Sequence, residues 1–98
     1  MPVGFRAKRG VDLPEDEQAY IWAVSRLYSK LGRTEREKIR TLCEKSAGEY
    51  SRALLEFVTT DQTATAICLK HSISRATLYR CVQRYYEGFA EGLPVGQW

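Results

Sequence analysis

Proline occurs three times in this chain, at positions 2, 14 and 94. A proline ring removes a backbone donor and clashes with the preceding turn, so it ends or bends any helix that contains it. The stretch between 14 and 94 is free of that residue, and it also lacks the apolar–polar alternation that marks strands. No internal repeat or low-complexity tract interrupts it. With 98 residues there is room for one domain, since single domains most often run to ~100–150 residues. The expectation is an all-α domain of four or five helices over 14–92. A flexible basic arm over 1–13 (Arg6, Lys8, Arg9) precedes it, and a tail over 93–98 follows, whose apolar Trp98 has no assigned role.

Helix boundaries follow from local signals. Pro14 suits a first helical turn, and Glu15, Asp16 and Glu17 place negative charge where the helix dipole favours it. Tyr20, Val24, Leu27, Tyr28 and Leu31 keep helical spacing as an apolar stripe, widened by Ile21 and Trp22, and Gly32 supplies the stop. Thr34 with Glu37, and Ser46 with Glu49, both read as capping boxes. The apolar phase nevertheless runs through the second box, by way of Ile39, Cys43, Ala47, Tyr50, Leu54, Phe57 and Val58. One long helix over about 35–59 is favoured, because a single glycine inside a helix costs only ~1 kcal/mol against alanine. Two helices with a tight joint are the alternative. A short helix from Gln62 to His71, a turn over 72–74 and a longer helix from Arg75 to about Tyr86 complete the chain. The last helix would turn Leu78, Val82, Tyr85 and Phe89 inward, and Gly88 or Gly92 would end it.

The segment TATAICLKHSISRATLYRCVQR, residues 63–84, has the parts of a helix-turn-helix. Cys68 is the small residue that lets two helices pack closely, Ser72 takes the turn, Ile73 anchors it, and Ser74 is suited to cap the second helix. Ile67, Leu78 and Val82 fall at core positions. Arg75, Ala76, Thr77, Tyr79, Arg80, Gln83 and Arg84 then point outward. Arginine reads guanine edges bidentately, small methyl-bearing residues meet thymine methyls, and hydroxyl and amide groups reach phosphates. The overall charge of +3 is modest, but its distribution is not. From Gln62 to Tyr86 the cations Lys70, Arg75, Arg80 and Arg84 occur without a single Asp or Glu, so this segment carries +4. The remainder nets −1. A positive, acid-free helix face is the footprint of a nucleic-acid binder.

The stretch FVTTDQTATAICLKHSISRATLYRCVQRY resembles the helix-turn-helix of the stage III sporulation protein D family. Its S-R-A-T-L-Y-R core equally resembles the C-terminal DNA-binding domain of serine resolvases and invertases. The resemblance covers residues 57–86 and implies sequence-specific binding of double-stranded DNA. It also implies that Ser74 is the N-cap and that Arg75, Ala76, Thr77, Tyr79 and Arg80 face the groove. His71 stands where those families place a bulky apolar residue, and Glu87 and Glu91 follow the motif in place of further basic residues. Ser72 replaces their glycine, so the turn asks a positive φ of a residue with a side chain.

Other function classes are disfavoured. The lone histidine has no carboxylate nearby in sequence, and there is no phosphate-cradling glycine loop, so an enzyme is not expected. Cys43, Cys68 and Cys81 are an odd set without C-x-x-C spacing, which suits core thiols in a reducing cytoplasm. Cys68 and His71 make half a zinc site with no second half, so no metal and no cofactor are expected. Neither a membrane span nor a secretory leader is apparent. The expected partner is double-stranded DNA, in a bacterial or phage transcriptional regulator, with a homodimer left open and no small-molecule ligand evident. A helical protein-interaction adaptor, or a phage packaging or recombination accessory, is the competing reading.

Overall fold

A computed structural model describes residues 11–92 and contains five α-helices: α1 (Glu15–Arg26), α2 (Arg33–Ala47), α3 (Ser51–Thr59), α4 (Ala64–His71) and α5 (Arg75–Glu91). Short 3-10 turns, Tyr28–Lys30 and Gly48–Tyr50, follow α1 and α2. Among the described residues there is no strand, as the missing alternation requires, and no helix is long and apolar enough to cross a membrane. The expected boundaries at 1–13 shift, because Val11 is buried and Leu13 packs against the core. Buried Gln18 fixes both, its side-chain amide donating to the carbonyls of Val11 at 3.4 Å and Leu13 at 3.0 Å. The rest of the arm and the tail over 93–98 lie outside the described residues.

The long helix favoured over 35–59 does not form. Gly48 adopts φ 57° and ψ −118°, a conformation that side chains resist, and the chain turns there so that α3 packs back on α2. The two-helix alternative is the observed one, and the continuous apolar phase serves both helices: Ile39 and Cys43 from one side, Leu54 and Val58 from the other. Neither capping box operates. Gly32 is the N-cap of α2 without a side-chain bond, and Glu37 accepts from Arg33 at 3.3 Å instead of reaching back to Thr34. Ser46 is buried within α2 rather than opening a helix.

The first helix also departs from its pattern. Its α-helical part ends at Arg26, and it buries Gln18, Ala19, Ile21 and Ser25 rather than the stripe through Tyr20, Val24 and Leu27. A polar group can replace an apolar one inside when it is hydrogen-bonded. Ser25 Oγ and the Tyr85 hydroxyl share a bond of 2.6 Å in the core. α5 runs past Tyr86, through Gly88, to Glu91. Glycine at 88 leaves room for the Leu42 side chain of α2, whose Cδ1 would stand 2.8 Å from a Cβ there. The inner face of α5 is Leu78, Cys81, Val82, Tyr85 and Tyr86, with Phe89 half-buried beside it. Helices α1, α2 and α3 thus form a bed on which α5 lies, and α4 is carried at its near end by α3 and α5.

Candidate nucleic-acid interface

The α4–α5 junction is built by short-range chemistry. Thr63 caps α4, its hydroxyl accepting from the Ala66 amide at 3.1 Å, so the helix begins at Ala64 rather than Gln62. At the other end Ser72 has φ 54° and ψ 46°, and it is the one side-chain-bearing residue at positive φ among those described. This left-handed step lets the Ile73 amide donate to the Cys68 carbonyl at 3.2 Å, the six-to-one bond of a Schellman motif. Ile73 is thereby turned into the core. Ser74 then caps α5, accepting from the Thr77 amide at 3.1 Å. Every role assigned to residues 72–74 from the sequence is occupied by the expected residue.

Beyond Ser74, which is itself exposed, α5 presents Arg75, Ala76, Tyr79, Arg80 and Arg84 on its outer surface, with Gln83 and Thr77 half-buried at its margins. Positions 75, 76, 79, 80, 83 and 84 repeat every three to four residues and so form one strip. Several members are already engaged. The Arg75 guanidinium donates to the Thr65 hydroxyl on α4, which draws the first turns of the two helices together. Thr77 Oγ1 accepts from Ser74 Oγ at 2.8 Å and from Arg80 at 3.4 Å, so this hydroxyl braces the cap and the arginine. Gln83 donates to Glu87 Oε2 at 3.4 Å, and that carboxylate closes the positive strip.

Lys70 does not join the strip. Its Nζ lies 2.9 and 3.1 Å from the two carboxylate oxygens of Glu56 on α3, and His71 Nε2 is 3.3 Å from the same carboxylate. The hydrogen bond from Lys70, with a smaller one from His71, holds the Glu56 carboxyl below its ordinary range, against a partial opposing push from burial. Around α4, Thr65 lies on the flank that meets Arg75 and Lys70 on the flank that meets α3. The run 62–86 is acid-free along the chain but not in space, since Glu56 offsets Lys70. Three arginines, 75, 80 and 84, carry the positive character of the outer face. The sequence offered no sign of Thr65 or Glu56 as members of this region, because both contacts span ten or more positions.

The thiols behave as core groups. Cys43 and Cys81 are buried and Cys68 is half-buried, and burial, with Glu44 adding to it, pushes the Cys43 thiol up to about 12. Among the described residues no cluster of three potential metal ligands occurs. Elsewhere the Arg26 guanidinium pairs with Asp61 in the α3–α4 connection and lies 5.0 Å from the Trp22 ring centre. The entry to α4 is thereby tied to the end of α1. No family model, curated protein or solved structure matches the chain.

Proposed function

We propose that the chain binds double-stranded DNA sequence-specifically, as a bacterial or phage transcriptional regulator, with α5 as its recognition helix. The observation that carries this reading is the junction at Ser72–Ser74. A left-handed serine, a buried isoleucine and a capping serine join the two helices through a three-residue turn, with the arginine-bearing strip of α5 facing outward. A major groove about 12 Å wide accepts one such helix. Arg75 and Arg80 have the fork geometry for guanine O6 and N7, the Ala76 methyl suits a thymine methyl, and Tyr79 and Arg84 suit phosphate oxygens. The reading is of a binding protein and not of an enzyme.

Titration into duplex DNA across a salt series tests it. Affinity should fall steeply with salt, with a slope reflecting roughly 4–8 phosphate contacts per subunit. Arg75→Ala combined with Arg80→Ala should cost specific sites at least about thirty-fold, since a bidentate base contact contributes ~1–3 kcal/mol of discrimination. The helical circular dichroism should be unchanged, as both side chains are exposed. Lys70→Ala should leave affinity within about two-fold, because Glu56 already holds that ammonium. A double arginine variant that binds its selected site like the wild type would sink the reading.

A further inference from the structure

The face of α1 marked by apolar periodicity is not the face the domain buries. Ile21 and Ser25 enter the core, while Tyr20 and Leu27 remain 44% and 48% exposed. Tyr20 is supported from beneath by Phe89, whose ring meets it edge-on at 6.5 Å. Beside it runs an open groove of about 620 Å³ whose apolar floor includes Val24, Leu31 and Leu42. A single exposed apolar residue is ordinary on any protein surface. Here two large ones stand two helical turns apart with Val24 between them.

Charge brackets this line at both ends. Glu17 precedes Tyr20 by three residues on α1, a spacing that places neighbours on one helix face. Lys30 follows Leu27 by three at the end of the 3-10 turn, where residues three apart eclipse one another. Read along the chain the face runs acid, tyrosine, valine, leucine, base. Read against a reversed copy of itself, each apolar residue meets an apolar residue and each charge meets its opposite. Such self-complementarity is what a two-fold interface requires, because the same patch serves on both subunits.

We propose that this face of α1 docks a second copy of the same chain, the two helices lying antiparallel about a two-fold axis near Val24. Tyr20 then packs on Leu27 of the second copy, and Glu17 pairs with Lys30 of the second copy, each contact occurring twice. The second helix covers the open side of the groove. α1 has 12 residues and spans roughly 18 Å at 1.5 Å per residue. The contact therefore falls at the small end of stable interfaces, and dissociation in the micromolar range is expected.

Sedimentation equilibrium of the full chain, without DNA, tests the proposal independently of the nucleic-acid reading. Between about 1 and 500 μM the wild-type mass should rise from 11.2 kDa towards twice that value. Leu27→Asp should weaken association at least ten-fold while leaving circular dichroism, and melting at concentrations where both proteins are monomeric, unchanged. Glu17→Lys and Lys30→Glu should each weaken it several-fold. The two together should restore it to within about two-fold, because the exchange rebuilds the pair with its signs reversed. A wild-type chain that stays at 11.2 kDa throughout overturns the proposal and leaves the face to a partner of other sequence. A dimer indifferent to Leu27→Asp, or a charge exchange as weak as its two parts combined, overturns it equally.

Discussion

Ser72 holds the geometry of the α4–α5 turn at a conformational cost. Left-handed backbone brings Cβ against the following carbonyl, which costs an L residue roughly 1–2 kcal/mol, and Ser72 sits there at φ 54°. Glycine avoids the clash but loses more chain entropy on folding, by ~0.5–1 kcal/mol. The balance predicts that Ser72→Gly stabilises the fold by up to ~1 kcal/mol, read as a higher urea midpoint. Ser72→Val should lower it, since a β-branched side chain resists this region. The turn was legible in the sequence residue by residue because its determinants are local: Ser74 reaches Thr77 and Ile73 reaches Cys68. Lys70 was misplaced for the complementary reason. Its partner Glu56 is brought near only by the packing of α3 on α4, and a linear tally of charge has no access to that.

At the scale of elements, Gly48 shows how an apolar phase can run unbroken through a break. Ile39, Cys43, Leu54 and Val58 are all buried, and their spacing fits one helix as well as two. The deciding quantity is the backbone of one residue. A Cβ built at Gly48 meets nothing within 4 Å, so substitution there is resisted by conformation alone. Gly48→Ala should cost about 1–3 kcal/mol, measured by urea unfolding, with native circular dichroism retained. An undiminished midpoint would show that the joint can relax to another form. The inner face of α1 was hidden for a different reason. Its buried polar residues, Gln18 and Ser25, are satisfied by the carbonyls of residues 11 and 13 and by Tyr85. Hydrophobic periodicity ranks such positions as outward.

Across the whole molecule, the core contains groups that must stay protonated. Burial pushes the Cys43 thiol from its usual value near 9 to about 12. Burial likewise raises the Tyr85 and Tyr86 phenols well above their usual 10, a Ser25 hydrogen bond offsetting part of the rise at Tyr85. In the unfolded chain these groups release protons earlier than in the folded one. Their contribution to stability is therefore level below about pH 9 and is lost as pH rises from there through the folded values. The urea midpoint should hold from about pH 7 to 9 and drop clearly by about pH 11. Cys43→Ala should make the fall above about pH 9 shallower without removing it, because burial raises the Cys81 thiol from the same starting value, and the tyrosines add to the loss from about pH 10. A midpoint flat to pH 11 would mean these groups ionise without leaving the core.

The Ser25–Tyr85 bond has a mechanical consequence. It crosses from the helix proposed to meet a second copy to the helix proposed to enter DNA, and Ile21 packs in the same core as Tyr85. α1 and α5 are thus clamped together, so a dyad at α1 would fix the distance and the rotation between two α5 helices like the hinge of a calliper locked at one setting. Paired half-sites one helical turn apart present the same side of the duplex. Inserting about five base pairs between them turns one site to the opposite side, and inserting about ten restores the facing but lengthens the span by a whole turn, so a calliper locked in both distance and rotation follows neither.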